Sequence, residues 1–121
     1  MNIFQENRVS FIDKDKPVIP LSGVAEMLGA KSRTLRMYED KGLLPKHEGV
    51  QKKLYSINDI QTIAFIHYIA SVKKINANGI KYILELLNTN MSQDEKDKII
   101  KNTEKQLELT PAKEIDDIEV F

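Results

Sequence analysis

Two arginines three residues apart, Arg33 and Arg36, are the side chains of this 121-residue chain best suited to gripping a polyanion. A guanidinium is a planar fork of donors that holds a phosphate, or the O6/N7 edge of guanine, through two parallel hydrogen bonds. Leu35 lies between the arginines and Tyr38 follows three residues later. On a helix this spacing puts the apolar pair on one face and turns the cations to another. Lys31 and Thr34 stand beside them as secondary contacts. The same fork can read a base or hold the backbone, and the residue types leave both uses open.

Presenting those side chains requires two short helices with sharp ends. Val24, Ala25 and Leu28 fall at i, i+1 and i+4, which predicts a helix of barely two turns. Gly29 stands where such a helix ends in a left-handed residue. A second helix is expected from Lys31 or Ser32, ending at Gly42, with Leu43, Leu44 and Pro45 leading away. This is the layout of a helix-turn-helix, whose second helix buries one side and offers the other to a DNA groove.

Charge follows the same division. Residues 1–90 hold 13 Lys and Arg against 9 Asp and Glu (+4), whereas residues 91–121 hold 5 against 9 (−4), so the neutral total hides an asymmetry. Residues 31–53 alone contain 7 cations and 3 anions. Such a patch favours phosphate contact and speeds encounter with nucleic acid. No enzymatic constellation competes, because the chain lacks a Gly-rich phosphate loop, a paired histidine, and a serine or cysteine with a plausible base. Cysteine is absent, which excludes disulfides and thiolate ligation of metals or iron–sulfur clusters within these residues. The sequence has no apolar run of membrane-spanning length and no secretory pattern at its start, so a cytoplasmic location is expected.

Around this centre, residues 46–55 read as a two-stranded wing with its turn near Glu48 and Gly49. Ser56 is a suitable N-cap for the next helix, with Asp59 at the third helical position. Ile57, Ile60, Ile63, Ala64, His67 and Tyr68 predict one apolar face, broadened by Phe65, Ile66 and Ile69, so this helix is expected at the centre of the core. His67 in that stripe reads as a hydrogen-bonded core residue, since no second ligand sits beside it at metal spacing. A further helix is expected from Asn76 or Ala77, carrying Ile80, Ile83, Leu84 and Leu87. Ser92 to Glu95 form a capping signature for a last helix that ends before Pro111, with a thin stripe of Ile99, Ile100, Thr103 and Leu107. About 18 residues at 1.5 Å each make a helix of roughly 27 Å. Residues 111–121 mix acids with Ile115, Ile118, Val120 and Phe121, which reads either as a frayed terminus or as a short docking peptide.

These segments also carry a family resemblance. RTLRMYEDKGLLP, residues 33–45, is similar to the RTLRYYExxGLL signature of MerR-type transcription regulators, and VAEMLGAKS before it resembles their VAxxxGVS. KKLYSINDI, residues 52–60, resembles YRLYSxxDI. INANGIKYILELL, residues 75–87, looks like the corresponding helix of the short subgroup containing HspR and GlnR. Four motifs fall in family order between about Ile19 and Leu87. The resemblance implies that Arg33 and Arg36 contact DNA from the recognition helix, and that the Tyr38 hydroxyl donates to a phosphate, although its ring also fits the inner face beside Leu35. It further implies that His47 and Lys53 occupy positions where the family has arginines, with Lys52 beside them on a shortened wing. The family joins its subunits through a long C-terminal helix, which is short here.

The expected fold is all-α with a small β wing: a winged helix-turn-helix followed by C-terminal helices for dimerisation. The expected division is an N-terminal arm over 1–18, a MerR-like DNA-binding domain over 19–90, a dimerisation helix over 91–110 and an acidic-apolar tail over 111–121. The expected function is sequence-specific binding of double-stranded DNA as a homodimer on an inverted repeat. No cofactor is expected, and regulation is assigned to a protein partner, with the tail as its docking element. An excisionase-like architectural protein that bends DNA, or an interaction module docking an acidic partner, are the alternatives. Phe4, Phe11 and Ile12 have no place in the helix-turn-helix core and are expected to support the dimer.

Overall fold

The computed structural model describes residues 12–47, 53–111 and 121. Among these residues, five helices and two short strands follow in the order β1 (Ile19–Pro20), α1 (Leu21–Leu28), α2 (Ser32–Asp40), β2 (Leu54–Tyr55), α3 (Ile57–Ser71), α4 (Ala77–Asn90) and α5 (Gln93–Leu109).

Both helices of the helix-turn-helix stop by the same device. Gly29 (φ 65°) and Gly42 (φ 73°) adopt left-handed backbone, which costs glycine nothing because it has no Cβ. After α1, the Gly29 N–H donates to Glu26 O at 3.3 Å and the Ala30 N–H to Ala25 O at 2.9 Å. After α2, the Gly42 N–H donates to Glu39 O at 2.9 Å and the Leu43 N–H to Tyr38 O at 3.0 Å. This paired closure satisfies carbonyls that a helix end would otherwise leave open, and it drives the residue after the glycine back against the core. Leu43 is accordingly buried.

Helix α3 is the centre of the core. A reciprocal capping box starts it: Ser56 Oγ accepts from the Asp59 N–H at 3.0 Å, while Asp59 Oδ2 accepts from the Ser56 N–H at 2.8 Å. Ile60, Ile63, Ala64, Phe65, Ile66, His67, Ile69, Ala70 and Ser71 are all buried, so the helix is covered on nearly every side. The expectation for Ile57 is corrected: it sits in the first turn, ahead of the packed region, and is 39% exposed. Val24 and Ala25 from α1, Leu35 and Tyr38 from α2, and Ala77 and Ile80 from α4 close on α3.

Helix α5, the expected dimerisation helix, packs along α3 of its own chain. Thr103 is 3% exposed, with its hydroxyl returned to Ile99 O at 2.9 Å, and Ile99 packs on the core cluster. A stripe this thin covers one flank of an apolar helix.

The expected small β element is present, with a partner strand that the sequence pattern did not announce. Strand β2 pairs antiparallel with β1, Ile19 opposite Tyr55 and Pro20 opposite Leu54, and the Val18 N–H donates to Tyr55 O at 3.2 Å. Lys46 and His47 are not in strand, and the expected turn at Glu48 and Gly49 lies outside the described residues. Two residues containing a proline have no readable period, which is why β1 escapes sequence reading. Just upstream, the Lys14 carbonyl accepts from the Asn58 N–H at 3.0 Å, which ties this lead-in to the first turn of α3. Phe4 and Phe11 lie outside the described residues, and Ile12 is 47% exposed. Among the described residues no helix is long and apolar enough to cross a membrane.

Candidate nucleic-acid interface

Helix α2 divides as its spacing demands. Leu35 and Tyr38 are 0% exposed, whereas Arg33 and Arg36 are exposed. Lys31 stands at the N-cap of the same helix and is also exposed. The cations therefore project from a helix whose opposite face is fixed in the core, and buried packing limits how far that helix can roll.

Tyr38 is corrected from a phosphate donor to a core residue. Its hydroxyl hydrogen-bonds His67 Nδ1 at 2.5 Å, and the two rings meet with centroids 5.7 Å apart. A hydroxyl buried on an imidazole inside the core has no access to a DNA backbone. Thr34 is likewise buried and offers little surface to a ligand. His67 meets its expectation as a hydrogen-bonded core histidine.

Lys53 reaches the interface by way of an acid. Its ammonium lies 2.9 Å from Glu39 Oε1, with the lysine side chain 69% exposed and that of Glu39 only 18%. The Tyr55 hydroxyl donates to the other oxygen, Glu39 Oε2, at 2.9 Å. Burial pushes the Glu39 carboxyl up, but hydrogen bonds from Lys53 and Tyr55, with the charges of Lys53 and Arg36, outweigh it and hold the group below its ordinary value. Tyr55 moves the opposite way: burial, then its bond to Glu39 and the negative charges of Glu39 and Asp59, raise its hydroxyl far above the usual phenol range. One carboxylate thus joins the last turn of α2 to β2 and sets an exposed lysine beside the arginine helix.

His47 is held by the protein instead of pointing outward. Its Nε2 pairs with Asp59 Oδ2, the oxygen that also caps α3. That contact ties the ring to the start of α3, with the His47 side chain 29% exposed. Lys52 lies outside the described residues.

Among the described residues, Arg33 and Arg36 on α2, Lys31 at its N-cap and Lys53 just before β2 are therefore the predicted contacts that remain exposed. Glu39 and Asp59 are the residues that sequence reading left out of the site. The signal for Glu39 was an acid embedded among seven cations, but its partner stands 14 positions away. No group of three or more His, Asp or Glu among the described residues is arranged to hold a metal ion.

Comparisons with known proteins agree with this geometry. The chain is 33% identical over 78 residues to the heat shock protein HspR of Streptomyces coelicolor, a match covering 64% of this chain and 52% of that protein. The chain thus spans about half the length of that curated relative. In fold it is similar to the transcription regulator PbrR691 of Ralstonia metallidurans, solved in complex with lead(II), with a TM-score of 0.52. That likeness covers 76% of this chain and 73% of the other at 20% identity. The sequence pattern of the MerR HTH family regulatory proteins matches residues 19–92, well over half of the chain. With the two glycine-closed helices and the outward arginines, that match establishes the chain as a member of the MerR family of helix-turn-helix transcription regulators.

Proposed function

We propose that this regulator binds double-stranded DNA sequence-specifically as a homodimer on an inverted repeat, in the cytoplasm, with Arg33 and Arg36 reading the major groove and Lys53 holding phosphate. The observation that carries the reading is the division of α2, with Leu35 and Tyr38 fully buried and both arginines exposed on the other side. A recognition helix needs that division, because side chains reach base edges only if the helix is braced from behind. Lys31, at the start of the same helix, adds a phosphate contact. A single winged helix covers about half a site, and two symmetric copies supply the rest.

Regulation is assigned to a protein partner. These 121 residues contain no cysteine for the thiolate chemistry of metal and oxidant sensing. The acidic-apolar stretch over 111–121 is the proposed docking element. Selection of bound sequences from random duplexes, followed by affinity measured against salt, tests the proposal. A two-fold symmetric preferred site with steep salt dependence is expected. Binding without sequence preference would overturn it.

A further inference from the structure

Phe121 returns to the core next to the recognition helix. Its ring lies against Tyr38, with centroids 5.4 Å apart and planes tilted by 50°. Its carbonyl accepts from the Ala77 N–H at 3.2 Å. Ala77 is the first residue of α4, where the N–H groups of a helix have no partner of their own. Asn76 Oδ1 serves the Gly79 N–H at 2.9 Å, which leaves Ala77 to be satisfied from outside the helix. A ring contact and a main-chain hydrogen bond therefore locate the same residue independently. The Tyr38 ring is bounded on one side by His67, at 5.7 Å, and on another by Phe121.

We propose that Tyr38, His67 and the first turn of α4 form a seat for an aromatic side chain, that Phe121 is its resident occupant, and that an occupied seat steadies the recognition helix. The chemistry suits a phenylalanine whose own carbonyl faces a helix N-terminus: tilted aromatic packing supplies the ring contact, and the free N–H supplies direction. Tyr38 shares α2 with Arg33 and Arg36, so what presses on its ring bears on the helix that carries both cations. A partner that takes hold of Phe121 empties the seat, and its engagement is read at α2 without touching DNA. The link to DNA affinity rests on the function proposed above; the seat itself does not.

Amide hydrogen exchange on the full chain tests this. In Phe121→Ala the amides of Ala77, Leu35 and Tyr38 should exchange about fivefold faster, the scale of one aromatic contact, while that of Thr103 on α5 stays as in wild type. A synthetic peptide of residues 112–121 added to Phe121→Ala should restore protection, and the same peptide with alanine for its phenylalanine should not. Affinity for the selected duplex should fall about fivefold in Phe121→Ala and recover with the peptide. Wild-type exchange at Ala77 and Tyr38 in the variant, or a peptide without effect, would overturn the seat. Faster exchange with unchanged affinity would overturn its coupling to the recognition helix. Failure of the wild type to bind any duplex would count against DNA binding, while the exchange data would still decide the seat.

Discussion

The Tyr55 hydroxyl donates to Glu39 Oε2 at 2.9 Å, and this bond fastens strand β2 to the last turn of the recognition helix. Lys53 donates to the other carboxylate oxygen, so the acid orders a cation of the same surface. A fixed lysine loses less freedom on meeting a phosphate than a free one does, which favours binding by preorganisation. Glu39 is thus a positioning residue for a surface made of cations.

Glu39→Gln should destabilise the fold by about 1–2 kcal/mol near neutral pH, the range for a hydrogen bond to a charged group. The Glu39 carboxyl is held below its ordinary value of 4.5 in the fold. A group depressed in this way contributes stability above its unfolded pKa and loses it as pH falls through the folded value. The gap between wild type and variant in urea denaturation should therefore be full above about pH 5 and shrink toward pH 3. A gap that does not change with pH would separate Glu39 from this role.

Arg33→Ala and Arg36→Ala should each cost on the order of 1–3 kcal/mol of specific binding, with helical content unchanged by circular dichroism. Lys53→Ala should weaken all duplexes to a similar degree and lower the salt slope by about one unit. Anisotropy titrations on matched and scrambled duplexes distinguish these patterns. Wild-type affinity in both arginine variants would show that α2 is not the reading element.

Tyr38→Phe removes the hydroxyl that serves buried His67 Nδ1. A loss of about 1 kcal/mol in stability is expected, the net worth of one hydrogen bond. The salt slope of DNA binding should not move, because no phosphate contact is lost. A slope lowered by about one unit in this variant would return Tyr38 to the DNA backbone.

The proposed dimer has a candidate surface on α4. Tyr82, at 62% exposure, and Leu86, at 39%, lie one helical turn apart on α4 and form an apolar pair open to solvent. Tyr82→Glu with Leu86→Glu should raise the dimer dissociation constant more than tenfold in sedimentation experiments, since two buried charges would face each other across a two-fold axis. An unaltered dimer would move the interface elsewhere.

Local features of this protein were legible in the residues themselves. Gly29 and Gly42 mark the ends of α1 and α2, Ser56 and Asp59 mark the start of α3, and the three-residue spacing separates Arg33 and Arg36 from Leu35 and Tyr38. Each of these rests on backbone geometry within one or two turns, where sequence distance and spatial distance are nearly the same. What the local pattern left undecided was the choice of partner. Glu39 finds Lys53 across 14 residues, Tyr38 finds His67 across 29, and Ala77 finds Phe121 from beyond the last helix. The same is true of α5, whose thin stripe suits a second subunit or its own chain equally well and goes to α3. Hydrogen bonds and apolar stripes specify a kind of partner but no address. Only the closure of the helices around α3 decided which acceptor, ring or face came within reach.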